Sequence, residues 1–125
     1  MGVFAPLEPK SASMKRILQA WLYSKAGLKA AFHDEPAFKQ VVLLALLGFV
    51  GACFVAHTFS QFALLVLPGA LCVVVELLNS AIENAVDFTG THKHPLAKKA
   101  KDMGSAAQLI ALGFFALVWG AYFVF

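Results

Sequence analysis

The chain has little charge and almost no cysteine, and its few charges leave long stretches untouched. Only 14% of its 125 residues are Asp, Glu, Lys or Arg, whereas 60% are hydrophobic. That balance lies far from the norm for soluble domains and excludes an ordinary water-soluble globule. The two cysteines, Cys53 and Cys72, both fall inside apolar runs. They read as buried apolar thiols rather than as a disulfide or a metal pair. There is no G-x-x-x-x-G-K-[ST] loop, no G-x-G-x-x-G and no protein-kinase catalytic loop, so any use of ATP must follow another design. Met1 to Ser13 lacks an apolar core long enough for a cleavable signal. Pro6 stands where an N-acylation signal after Gly2 would need Ser or Thr. No repeat or low-complexity tract interrupts the chain, and a single domain over residues 1–125 is expected.

What is abundant is uninterrupted apolar sequence. Val41 to Phe59, Phe62 to Val86 and Ala106 to Phe125 each approach the ~20 residues that cross about 30 Å of hydrocarbon. An all-α membrane protein with three transmembrane helices follows, with spans expected at about 35–58, 62–88 and 96–124. Every Lys and Arg lies before the first span (Lys10, Lys15, Arg16, Lys25, Lys29, Lys39) or between the second and third (Lys93, Lys98, Lys99, Lys101). The positive-inside rule then puts the N-terminus in the cytoplasm and the C-terminus outside.

Local signals fill in the rest. Residues 14–32 carry Ile17, Trp21, Leu28 and Phe32 in one sector, which predicts an amphipathic surface helix whose Lys25 and Lys29 snorkel to the headgroups. The same segment also reads as a basic anchor for anionic lipid. Asp34 is the expected N-cap of the first span, with Glu35 and Pro36 in its first turn. Pro68 and Gly69 allow a mild kink in the second span. Thr89 and Gly90 form a helix stop, and His92, Lys93, His94 and Pro95 a polar turn. Gly104 to Ala107 presents small residues that let helix backbones approach.

Against this apolar background one polar row stands out. Glu76, Asn79, Ser80, Glu83 and Asp87 fall within an arc of roughly 100° on one helix face. Ionisable groups at membrane depth cost roughly 2.5 to 3.5 kcal/mol each on insertion scales and usually mark a site. Glu83 lies toward the cytoplasmic edge, near the lysines, and Glu76 lies about 10 Å deeper at ~1.5 Å per residue. Carboxylates opposite lysines suit a metal-bound polyphosphate, because Mg2+ takes one or two carboxylates and completes its shell with phosphate and water. Glu83 and Glu35 are candidates for that metal, and Lys101 or Lys93 for the phosphate charge. The depth of Glu76 suits a base acting on a lipid hydroxyl. The plainer alternatives are interhelical glue for Asn79 and Ser80, a solvated loop at His92 to His94, and a surface ion pair between Lys101 and Asp102.

The string Glu76-Leu-Leu-Asn-Ser-Ala-Ile-Glu-Asn-Ala-Val-Asp87, followed by Ala100-Lys-Asp-Met-Gly-Ser-Ala-Ala107, closely resembles the prokaryotic integral-membrane diacylglycerol kinases. The likeness continues upstream through Tyr23, Ser24, Gly27-Leu-Lys-Ala-Ala31 and Glu35-Pro-Ala-Phe-Lys-Gln40. The resemblance implies a homotrimer of three-span subunits in the bacterial inner membrane, with active sites shared between neighbours and no nucleic-acid partner. It implies transfer of phosphate from MgATP to a lipid hydroxyl, making phosphatidic acid from diacylglycerol. By the same resemblance Glu76 is the catalytic base, Asn79 a site organiser, and Glu35 and Glu83 the Mg2+ ligands. Arg16, Tyr23, His94, Lys101 and Asp102 contact nucleotide together with Glu35 and Glu83, and His92 and Lys93 lie in the same turn. Ser24, Lys29, Ala30, Ala31, Phe32, Phe38, Phe54 and Ser105 border the lipid beside Glu76.

Three positions depart from the family pattern. Val41 stands where an acid is usual, Lys25 where an aromatic is, and Phe54 where a Trp is. The base and metal positions are intact. Undecaprenol kinase, the same chemistry on a polyprenol, is the alternative activity. A non-enzymatic helical subunit or proton-conducting oligomer is a more remote one, which the basic turn and the Lys101-Asp102 pair argue against.

Overall fold

In the computed structural model, residues 13–90 and 94–125 are described, and His92 and Lys93 lie outside them. Four helices follow in order, α1 (Ser13–Asp34), α2 (Pro36–Val55), α3 (Phe59–Phe88) and α4 (Pro95–Val124), and no strand occurs among the described residues. The last three are long and apolar enough to cross a membrane, in agreement with the three apolar runs. Helix α3 lies at the centre: it packs on α2 along one side and on α4 along the other, while α1 touches mainly α2.

The break between α1 and α2 has a single-residue cause. A residue before proline is pushed out of the α region, and Glu35, before Pro36, is extended at φ −115° and ψ 97°. Its N–H still closes the last turn of α1 on the Ala31 carbonyl, and its own carbonyl accepts from Phe38 and Lys39 to open α2. Glu35 rather than Asp34 is therefore the N-cap, and its side chain makes no capping bond. Asp34 instead ends α1, its carboxylate 2.6 Å from the His33 ring. The apolar sector of α1 is not buried by the rest of the chain, since Ile17, Trp21, Leu28 and Phe32 are all exposed and only Ala31 is covered.

Small residues set the helix spacing. Ala45 of α2 lies against Gly69, where a Cβ would come within 3.1 Å of the Ala45 Cα. Gly48 and Gly51 similarly leave room for the rings of Phe115 and Trp119 on α4. Pro68 is buried within α3, which runs through it as one helix, so Pro68 and Gly69 serve packing. The buried centre is small and apolar: Val41, Cys72 and Ala111, with Val73, Val75, Leu112 and Phe115 around them. Val41 thus fills a core position with a hydrocarbon. Cys72 is buried as expected, whereas Cys53 is exposed because it sits on the outward face of α2.

At one end of the bundle Thr58 caps α3, accepting from the Gln61 N–H, while the Gln61 side chain accepts from the His57 N–H, a near relative of the capping box. Tyr122 donates to the Val55 carbonyl at 2.6 Å, and the Trp119 indole N–H to the Leu65 carbonyl at 3.1 Å. At the other end α3 stops at Phe88 with Thr89 as C-cap, and Gly90 takes a φ of 142° that favours glycine. His94 caps α4 by accepting from the Leu96 N–H.

Candidate active site

The polar row lies on α3 where its spacing places it, but its members meet different surroundings. Glu76, Asn79 and Ser80 are buried at 6%, 9% and 5% exposure, Glu83 is half-buried and Asp87 exposed. For Glu76 and Asn79 the burial comes from α4. Gly104 faces Asn79 so closely that a Cβ there would collide with the Asn79 Oδ1, and Gln108, one turn further along α4, is 7% exposed and interacts with Glu76. Gln108 donates through Nε2 to the Cys72 carbonyl at 3.2 Å. Glu76 is therefore a carboxylate held between two membrane-length helices, with an amide on each side of it.

Two buried acceptors near this acid have no donor among the described residues, Asn79 Oδ1 and Gln108 Oε1. Leaving a buried acceptor unmet costs about 1–3 kcal/mol. Together with Glu76 they make the helix interface at this depth far more polar than packing alone requires. The small-residue stripe from Gly104 is what permits it, because any side chain at 104 would occupy the place of the Asn79 amide.

Toward the Phe88 end of α3 the polar groups connect neighbouring helices. The α1–α2 joint presents the Glu35 carboxylate to α3, where Asn84 Nδ2 donates to its Oε1 at 2.8 Å and also to the Ser80 carbonyl at 2.8 Å. Asn79 Nδ2 donates weakly to Glu83 Oε1 at 3.5 Å. Lys101 Nζ on α4 reaches Asp87 at 3.0 Å, and Lys98 reaches Asp102 at 2.6 Å. The expected Lys101-Asp102 pair is thus replaced by two others, since adjacent helical residues point apart whereas i and i+4 share a face. Asp87 acts as the tether of Lys101. Glu35 and Glu83 both lie close enough to Glu76 to act on it through their charge.

Other members of the expected set stay apart within one chain. Arg16 and Tyr23 are exposed on α1 and bond neither to Glu83 nor to Lys101. Ser24, Ala30, Ala31 and Glu35 line a cleft of about 520 Å3 between α1 and α3, closed on the α3 side by Leu77, Ser80, Ala81 and Asn84. Phe32 and Phe38 pack edge to face, with centroids 4.9 Å apart, in a second groove of about 360 Å3. Lys29 is exposed on α1 and Ser105 on α4, beside Gly104. Phe54, 84% exposed, lies nineteen residues after Glu35, so about 28 Å along α2 at ~1.5 Å per residue. It belongs to the far end of the bundle. Sequence pattern gives Asn84 and Gln108 no role, although Gln108 is a lone amide in an apolar stretch, a signal that marks it.

Among the described residues no three His, Cys, Asp or Glu side chains converge on a point where they could hold a metal. Glu35 and Glu83 nevertheless suit a cation shared with a ligand. Their partners are neutral amides, and among the described residues no cationic side chain takes their oxygens.

The family model described as prokaryotic diacylglycerol kinase matches residues 22–123. A protein of Helicobacter pylori (strain ATCC 700392 / 26695) named diacylglycerol kinase is 59% identical over 114 residues, which is 91% of this chain and 89% of that protein. Proteins of the same name from Pseudomonas aeruginosa and Escherichia coli (strain K12) are 47% and 44% identical. They cover 85% and 83% of this chain, and 86% and 85% of their own lengths. The chain belongs to the prokaryotic diacylglycerol kinase family.

Proposed function

We propose, from that membership, that this chain is an ATP-dependent diacylglycerol kinase that converts diacylglycerol to phosphatidic acid at the cytoplasmic face of the bacterial inner membrane. The observation that carries the mechanism is a buried acid, Glu76, set below Glu83 and Glu35 on the way to the Phe88 end of α3. In this mechanism Glu76 accepts the proton of the lipid hydroxyl. The hydroxyl oxygen then bonds to the γ-phosphorus as the bond from that phosphorus to the bridging oxygen breaks, and ADP leaves. Phosphoryl transfer of this kind is catalysed chiefly by positioning and by stabilising charge.

Each of the other residues has a task that follows from its place. Asn79, held against Gly104, orients the groups between base and phosphate. Lys101, tethered by Asp87, neutralises phosphate, and Asp102, His94, Arg16 and Tyr23 contact the nucleotide, with His92 and Lys93 in the adjoining turn. Ser24, Ala30 and Ala31 in the α1–α3 cleft, with Ser105 on α4, border the lipid. Phe32, Phe38 and Lys29 flank its acyl chains.

Glu35 and Glu83 are the residues that would hold Mg2+. They fit it chemically, because two carboxylates that among the described residues bond only to amides keep oxygens for a hard cation, and Mg2+ seldom needs more than two from protein. Bound there, the ion would neutralise charge on the phosphates.

The cytoplasmic N-terminus and external C-terminus rest on the distribution of Lys and Arg. A homotrimer with sites shared between subunits rests on the family resemblance, and Arg16 and Tyr23 make no hydrogen bond to Glu83 or Lys101 among the described residues of one chain. A neighbouring copy would bring α1 to the site. The interfacial position of α1 is supported by its exposed apolar sector.

The test is transfer of radiolabelled phosphate from ATP in mixed micelles, with diacylglycerol and undecaprenol assayed in parallel. Efficient labelling of diacylglycerol alone is expected. Labelling confined to undecaprenol would reassign the acceptor, and no lipid-dependent ADP release would remove the kinase activity altogether.

A further inference from the structure

We propose that Asn84 is a positioning residue for the Glu35 carboxylate, holding one of its oxygens so that the other is presented to the cation of the nucleotide complex. This rests on the assignment of Glu35 as a metal ligand given above. Glu35 is fixed by its backbone on both sides, through the Ala31 carbonyl and the N–H groups of Phe38 and Lys39, yet its side chain makes no capping bond. The carboxylate direction is consequently set from outside the joint. The two protons of the Asn84 amide nitrogen match its two acceptors, Glu35 Oε1 and the Ser80 carbonyl, each at 2.8 Å. The second of these ties the amide to its own helix, so the first aims Glu35 relative to α3, the helix that carries Glu83 and Glu76. Oε2 of Glu35 meets no donor among the described residues. Where α1 faces this end of α3 across the cleft, the Asn84 bond ties the joint to the helix that carries the acid row.

Groups that orient a metal ligand typically carry about 10–100-fold of affinity. The experiment uses the purified full chain in detergent micelles, with Mn2+ and a non-hydrolysable ATP analogue as the probe and free Mn2+ read by electron paramagnetic resonance. Wild type, Glu35→Gln, Asn84→Ala and the double variant form a cycle. Asn84→Leu, close in shape to Asn but without a donor, serves as a second probe of the same bond. The expected result is that Asn84→Ala and Asn84→Leu weaken Mn2+ binding about ten-fold, and that Asn84→Ala has no further effect in the Glu35→Gln background. In turnover the same variants should raise the Mg2+ requirement. Wild-type binding by both Asn84 variants, with Glu35→Gln impaired, overturns the positioning role alone. An equal loss from Asn84→Ala in the Glu35→Gln background overturns it too, because the effect would not pass through Glu35. Wild-type binding by Glu35→Gln overturns the ligand assignment itself. An unfolding temperature measured in the same micelles shows that each variant compared is folded.

Discussion

The two ends of the helix bundle use polar side chains in opposite ways. At the end holding Val55, Phe59 and Tyr122, the side-chain bonds that join one helix to another finish mostly on main chain: Tyr122 to the Val55 carbonyl and Trp119 to the Leu65 carbonyl. Those bonds consume backbone acceptors, and the donors are rings that also fill space. At the end holding Glu35, Asn84 and Lys101, side chains bond mainly other side chains, carboxylate to amide and carboxylate to amine. Deeper on that side two buried acceptors meet no donor among the described residues. An end built only for cohesion would use hydrocarbon or satisfied polar groups there, since burying an unpaired acceptor destabilises the fold. The contrast supports reading one end as scaffold and the other as the proposed site.

The contrast predicts a graded set of outcomes. Replacing Glu76 by Gln should cost the most, roughly 10²–10⁴-fold in kcat, the range a general base supplies, with the unfolding temperature unchanged. Next comes Lys101→Ala, expected to lower kcat/KM for ATP by about 10²-fold, as loss of a single charge-stabilising donor does. Because its pairing with Asp87 is at the surface, thermal unfolding in micelles should hardly move. Gly104→Ala tests the site from α4: the new Cβ forces the Asn79 amide to turn. Side-chain rotation is available to Asn79, so activity should fall about ten-fold, the scale of a displaced orienting group, with stability lowered by about 1 kcal/mol. At the scaffold end, Tyr122→Phe removes one hydrogen bond and should cost about 0.5–1.5 kcal/mol of stability while leaving turnover intact. A large loss of activity from Tyr122→Phe, or a stability loss without activity loss from Gly104→Ala, would erase the distinction between the ends.

Much of this molecule is written locally. Hydropathy marks the three spanning helices, Thr89 and Gly90 mark the end of α3, and a 3.6-residue period lines up Glu76, Asn79, Ser80 and Glu83. What pattern alone does not convey is contact between distant residues. Asn84 falls about 80° around the helix from Glu76, some 40° outside the row, and its partner Glu35 is 49 residues away. Gln108 is a lone amide on an apolar helix until α4 is packed on α3, when it comes to face Glu76. Local rules also compete at the α1–α2 joint. Asp34 has the better capping side chain, but the restriction that Pro36 places on the preceding residue wins, so α1 runs on through Asp34 and Glu35 becomes the turning point. That shift of one residue is what frees the Glu35 carboxylate to face Asn84.

The most direct test is the rate of radiolabelled phosphoryl transfer from ATP to diacylglycerol by folded Glu76→Gln, with nucleotide binding measured on the same sample. Nucleotide bound as in the wild type, together with transfer reduced by roughly 10²-fold or more, is the result expected if Glu76 takes the hydroxyl proton. Turnover at the wild-type rate would contradict it and return the buried acid to the role of a structural group between α3 and α4.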